Sequence, residues 1–161
     1  MKGHVRPIAL AVIKRERPPG PHNAEQAILV FEGYDPHKDE VFYRPLGGTI
    51  EFGERSEQTV FRELHEEVGL ELQNVRYLAT VENIFIYQGQ TGHEIVMLYS
   101  ARLADVSSLA YERDEFQGVE DNGQPFTARW MPLSHFEPHG PPLYPTGLLE
   151  LLMGQRRARS G

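Results

Sequence analysis

The stretch Gly48-Thr-Ile-Glu-Phe-Gly-Glu54-Arg-Ser-Glu-Gln-Thr-Val-Phe-Arg62-Glu63-Leu64-His65-Glu66-Glu67-Val68-Gly69-Leu70 decides how this chain is read. Its second half has the signs of a helix. Ser56 stands where an N-cap belongs, Val60, Phe61, Leu64 and Val68 recur at helical spacing, and Gly69 sits where a C′ glycine ends a helix. On a wheel with Glu63 at 0°, Glu66 falls at about −60° and Glu67 at about 40°, so the three carboxylates share one narrow face. Val60, Leu64, Val68 and Phe61 fall at about 60°, 100°, 140° and 160°, a neighbouring apolar stripe that would anchor the helix to a sheet. Like charges three and four residues apart repel, so the face calls for a cation among them. A hard divalent ion such as Mg²⁺ suits oxygen ligands of this kind.

Outward from that helix, Pro7 to Ile13, Ala27 to Phe31 and Val41 to Arg44 have strand character. They are separated by a breaker-rich loop, Arg17 to Asn23, and by the polar turn Tyr34 to Asp39. Gly47-Gly48 is expected to break the third strand. Beyond the helix, Val75 to Tyr87 and Glu94 to Arg102 form β-rich runs joined by the five residues Gln88 to Gly92, the pattern of a hairpin. Ile84 to Tyr87 is an apolar run of the kind buried on both faces of a sheet. Ala104 to Gln124 is acidic and weakly periodic and reads as a long surface excursion. Phe126 to Met131 returns to strand character, Pro132 to Pro145 is proline-rich, and Leu148, Leu149, Leu151 and Leu152 make a terminal helix.

The 161 residues, 40% apolar and 24% charged, suit a single globular domain over 1–161, long enough to bury a core without staples. The absence of cysteine excludes disulfides, thiolate metal sites and cysteine nucleophiles. No run of 18 apolar residues exists, and Met1 to Val12 is too short and too polar for a secretory h-region, so a soluble cytoplasmic protein is the expectation. The net charge of −7 gives a field that repels phosphates and argues against stable nucleic-acid binding and against a membrane partner. The one basic cluster, Arg156, Arg157 and Arg159, reads as a frayed, solvated tail. Phosphorylated ligands would therefore be met through divalent cations held by the chain's own carboxylates.

The quoted stretch resembles the Nudix box, Gly-x5-Glu-x7-Arg-Glu-U-x-Glu-Glu-x-Gly-U with U apolar, at every position. Chance would produce that match on the order of once in 10⁹ starting points. The strand before it, Gly47-Gly48 entering it and Trp130-Met131-Pro132-Leu133 near the C-terminus look like the family's usual surroundings. The resemblance implies an α/β Nudix fold, a mixed β-sheet sandwiched between helices. It also implies hydrolysis of a nucleoside diphosphate linked to another moiety, with Mg²⁺ as cofactor and Mn²⁺ as the alternative. By the same resemblance Glu66 and Glu67 bind the divalent ions and Glu63 is a metal ligand or base. Arg62 orients glutamates, with Glu54 as its partner, and the Gly48 carbonyl joins the metal shell.

Many Nudix enzymes use a further glutamate from a loop well after the box, a place Glu120 fits better than Asp121, Glu115 or Glu112. Arg44 and Tyr87 are the candidate substrate contacts, Tyr87 because a tyrosine in that window resembles the signature of dinucleoside polyphosphate hydrolases. Phe85 stands near the place of the proline that marks many ADP-ribose hydrolases, and the family's coenzyme A and NADH signatures are not found. His93 reads as a polar hairpin residue, and Pro138 keeps His135 and His139 off a shared helix face. Trp130 and Tyr144 read as core or rim. Ser100, Ser107 and Ser108 lack a nucleophile-elbow context. The competing class is a nucleotide-sensing Nudix module without turnover, which usually shows a degraded box. An isoprenoid diphosphate isomerase would need a cysteine. The partner is then a small nucleotide-type substrate, and a homodimer is the expected assembly if the chain associates.

Overall fold

The computed structural model describes residues 3–16, 26–136 and 139–160, with side chains as far as Gly154. The elements in order are β1 (Val5–Glu16), β2 (Gln26–Asp35), β3 (Glu40–Thr49), α1 (Ser56–Val68), β4 (Leu72–Tyr87) and β5 (Gln90–Leu103). A 3₁₀ helix (Asp105–Glu112), β6 (Glu115–Val119), β7 (Pro125–Pro132), a short 3₁₀ turn (Leu133–Phe136) and α2 (Leu148–Ser160) follow. The loop expected at Arg17 to Asn23 lies outside the described residues.

The strands form one seven-stranded sheet in the order β4-β5-β1-β3-β2-β7-β6. β1 and β5 are parallel, from Val5 beside His93 to Ile13 beside Ala101, and the other pairs are antiparallel. β1 lies inside the sheet, between β5 and β3, and is apolar on both faces, the signature of a strand covered on two sides. Its Ala9, Ala11 and Ile13 join a cluster with Val60 and Leu64 of α1. Ile8, Leu10 and Val12 join a second cluster with Leu148 and Leu152 of α2. The fold is thus a mixed sheet between helices, as the resemblance implied.

Several local readings are corrected. Gly47-Gly48 does not break β3, because both residues stay in the ladder opposite Leu10 and Ala9. What requires glycine is close approach: a Cβ on Gly47 would lie 2.0 Å from the Ala9 carbonyl oxygen, and one on Gly48 would lie 2.6 Å from the Glu63 carboxylate. The N-cap of α1 is Arg55, whose backbone N–H donates to Gln58 Oε1 at 3.0 Å. Ser56 is instead held to Tyr99 by a 2.5 Å hydroxyl–hydroxyl bond. Gly69 does end the helix, at φ 67°. Phe61 leaves the anchoring stripe and is exposed, while Thr59 is buried on the helix with its hydroxyl bonded to Glu54.

The hairpin is tighter than five residues. Gln88 and Gly89 alone make the turn, both at positive φ, and Tyr87 pairs with Gln90. This is the two-residue geometry that matches strand twist. Ile84 and Ile86 are exposed and Tyr87 is partly so, because β4 is an edge strand and nothing among the described residues covers its outer face there. The acidic excursion is not structureless: it holds the longer 3₁₀ helix and β6, which pairs with β7 and turns Phe116 and Gly118 inward. The C-terminal arginines continue the backbone of α2 through Ser160 rather than fraying.

Candidate active site

α1 runs beside the C-terminal half of β3 and brings the quoted carboxylates against it. Glu63 is 1% exposed and lies under Gly48, whose missing side chain is what makes room for it. Glu66, one turn further, is half exposed. Arg62 ties the cluster together. Its Nε donates to Glu54 Oε2 at 2.7 Å and its Nη2 to Glu54 Oε1 at 2.9 Å, a two-pronged grip. Its Nη1 donates to Glu63 Oε1 at 3.0 Å and Glu66 Oε2 at 3.2 Å, and Nη2 also reaches the Thr49 carbonyl at 3.1 Å. A planar guanidinium suits this work because its donors are fixed in a fork. Thr59 Oγ1 adds a 2.6 Å bond to Glu54.

The electrostatics follow from that arrangement. The Arg62 hydrogen bonds hold the Glu54 carboxyl down at about 2, in spite of its partial burial, with Thr59 assisting. The Arg62 guanidinium is pushed upward in turn. Glu67 goes the other way, raised to about 9, first by burial and then by its hydrogen bond to Glu63 and by the charges of Glu63 and Asp121, with Arg44 opposing. Glu63 is also raised, chiefly by burial. Three like charges packed together disfavour full ionisation unless a cation joins them.

Asp121 is one of the three residues that sequence reasoning set behind Glu120. One carboxylate oxygen each from Glu63, Glu66 and Asp121 lie within 4.8 Å of one another. Asp121 stands in the β6–β7 turn, which closes through Glu120 N–H to the Gln124 carbonyl and Gly123 N–H to the Glu120 carbonyl, both at 2.8 Å. Glu120 thus takes part in the turn through its backbone and is outside the carboxylate group. Arg44 Nη1 lies 4.0 Å from Glu94, a buried carboxylate that sequence reasoning passed over. Tyr87 stands at the hairpin end with its ring edge-on to Phe42, 5.8 Å between centroids. Trp130 is core: its Nε1 donates to the Ala110 carbonyl at 3.3 Å and its ring stacks on Tyr111.

The oxygen-rich donor set fits a hard divalent cation. Glu63 Oε2 is buried and receives no N–H or hydroxyl hydrogen bond among the described residues, so beyond the neighbouring Glu67 carboxyl a cation would satisfy it.

The family model of the NUDIX domain matches residues 10–147, and the chain belongs to the Nudix family. It is 50% identical to the RNA pyrophosphohydrolase of Pseudoalteromonas atlantica over 44 residues, 27% of this chain and 25% of that protein. It is 34% identical to the NAD-capped RNA hydrolase NudC of Actinobacillus succinogenes over 109 residues, 68% of this chain and 34% of that one. The chain therefore spans a minor part of these relatives' own length. Among solved structures, a UDP-X diphosphatase superposes with a TM-score of 0.60 at 16% identity, over 99% of this chain and 66% of that one. The MutT NUDIX hydrolase from Burkholderia pseudomallei superposes at 0.54 and 21%, over 94% and 98%. At those identities the likeness is one of fold. No helix among the described residues is long and apolar enough to cross a membrane.

Proposed function

We propose that the chain hydrolyses a diphosphate linkage in a nucleotide-derived substrate. Divalent cations, Mg²⁺ or Mn²⁺, would be held by Glu63, Glu66, Glu67, Asp121 and the Gly48 carbonyl. The observation that carries this reading is the convergence of the buried Glu63 carboxylate with those of Glu66 and Asp121, one oxygen of each lying within 4.8 Å of the others. The bound cation would lower the pKa of a water and neutralise diphosphate oxygens. The chain's own residues supply position. Arg62 fixes Glu54, Glu63 and Glu66 in one plane of contacts, so that the carboxylates need not reorganise during the reaction. Burial and the charge of Glu63 raise Glu67 while no cation is present, and a cation joining the cluster would favour its ionised form, which can then serve as ligand or base. In-line attack at phosphorus requires such positioning more than covalent help. Asp121 takes the part of the late-loop carboxylate in place of Glu120.

One relative is named an RNA pyrophosphohydrolase and the other an NAD-capped RNA hydrolase, names that agree with this reading without fixing the leaving group. The test is a panel of nucleoside triphosphates, ADP-ribose, NADH, nucleotide sugars and dinucleoside polyphosphates, with and without Mg²⁺. Turnover should require the metal and should fall by ~10² or more in Glu67→Gln, with Asp121→Asn impaired and Glu120→Gln close to wild type. Full activity in Glu67→Gln with an unchanged circular dichroism spectrum would defeat the assignment. Tight binding with no turnover of any substrate would favour the nucleotide-sensing module.

A further inference from the structure

The tip of the β4–β5 hairpin meets the turn between β2 and β3, with Gln88 bonded to Asp35 and Tyr87 packed on Phe42, and a shallow groove runs inward from that contact towards Arg44. The hairpin tip is tethered by Asp35, which accepts the His37 N–H at 2.9 Å and the Gln88 N–H at 3.2 Å. The groove is aromatic: Phe42 meets Tyr87 and Tyr144, each with centroids 5.8 Å apart, and Phe85 lies 6.3 Å from Tyr144. Its polar part is a pair of opposed residues on the β4–β5 ladder, Asn83 and Glu94, both 3% exposed. Asn83 is used structurally, its Oδ1 accepting the Thr146 N–H at 3.2 Å. Glu94 is not.

No described residue donates a hydrogen bond to the Glu94 carboxylate, and Arg44 at 4.0 Å is beyond hydrogen-bond range. Beside it, Arg44 Nε is buried without a partner. Buried carboxylates ordinarily gather several donors, so these groups mark a place where a ligand supplies them.

We propose that Glu94 is a specificity-determining residue that reads the base of the nucleotide, and that the base it selects is guanine; this rests on the nucleotide-hydrolase reading above. A carboxylate has two acceptor oxygens and no donor. Of the common bases, only guanine presents two N–H donors side by side, at N1 and N2. Adenine and cytosine set an acceptor beside their amino group, and uracil flanks its N–H with two carbonyls that the carboxylate repels. The aromatic walls suit a planar base, which stacks on rings, better than a sugar diol.

The test is calorimetric titration of wild type and Glu94→Gln with GMP, IMP, AMP and dGMP. None of these carries an anhydride to cleave, so the result stands apart from the hydrolase reading. Wild type should bind GMP at least tenfold more tightly than IMP, which lacks the 2-amino group, or AMP, with dGMP equal to GMP. Glu94→Gln should weaken GMP tenfold or more and leave AMP within twofold. Equal wild-type affinity for GMP and IMP overturns the proposal, and so does a Glu94→Gln variant that keeps the GMP preference. A tenfold loss for dGMP assigns the carboxylate to the sugar diol and also overturns it. If Glu94→Gln does not fold, the wild-type GMP-to-IMP ratio decides alone.

Discussion

Glu63 and Glu67 carry opposite consequences from Glu54, although all three belong to one motif. Burial, then the hydrogen bond and charge of Glu63, raise Glu67 from an ordinary value near 4.5 to about 9, whereas Arg62 holds Glu54 at about 2. Without metal, the folded chain keeps protons on the Glu63–Glu67 pair that the unfolded chain has already lost. Stability must then fall as pH rises from about 4.5 to about 9. The Glu54 contribution has the reverse sign and is lost only as pH drops below the ordinary carboxylate range. Thermal melts in EDTA should show Tm declining between pH 5 and pH 9, with most of that slope gone in Glu67→Gln and removed by Mg²⁺. A Tm that is flat or rises over that range would show that the pair is not protonated in the fold. The motif residues were legible because their spacing is fixed by the helix. Asp121 was not, since a turn's sequence places two neighbouring carboxylates without saying which faces α1. Glu94 left a fainter signal: it shares the β5 alternation of Val96 and Leu98, which alone would have put it inside.

At the level of elements, β3 shows how two adjacent glycines do different work. On Gly47 a Cβ would meet rigid backbone at 2.0 Å, whereas on Gly48 it would meet the movable end of Glu63 at 2.6 Å. Gly47→Ala should therefore cost more than ~3 kcal/mol of stability. Gly48→Ala should cost less than ~1.5 kcal/mol yet cut kcat by ~10², because it displaces a charge placed for the transition state. Urea midpoints set beside kcat check this, and an active Gly48→Ala enzyme would contradict it. In the hairpin, Tyr87 is exposed enough to meet a second base, and stacking of that kind is worth ~1 to 3 kcal/mol. Tyr87→Ala should raise KM about tenfold with kcat within about threefold, the pattern of lost uniform binding. A dinucleoside polyphosphate should then be cleaved better than ADP-ribose; a tenfold preference for ADP-ribose would refute the stacking role. The main strands and both helices were readable from periodicity. β6 was hidden because Phe116 and Gly118 give only two inward positions among acidic neighbours, and Gly47-Gly48 misled because glycine marks close approach here rather than a turn.

The whole molecule is divided by its own sheet. Leu64 packs on the face that carries the carboxylates, and Leu148 packs on the opposite face, both fully buried. β1 contributes to both clusters, so the two faces should unfold together in one transition. Truncating either leucine removes comparable buried volume, and such changes cost ~2 to 5 kcal/mol. Their effects on chemistry should differ. Leu64 is the neighbour of Glu63 on α1, and a cavity there lets the helix settle and shifts the carboxylates, to which catalysis is sensitive at the ångström scale. Leu148 holds α2, which contributes none of the residues assigned to the cluster. Leu148→Ala should lower the urea midpoint in a single transition while kcat per folded molecule stays within twofold of wild type. Leu64→Ala should lower the midpoint similarly and reduce kcat at least tenfold, even at temperatures where the protein is fully folded. Equal losses of kcat in the two variants would show that the faces are mechanically coupled through β1, and the separation of stability from catalysis across the sheet would have to be given up.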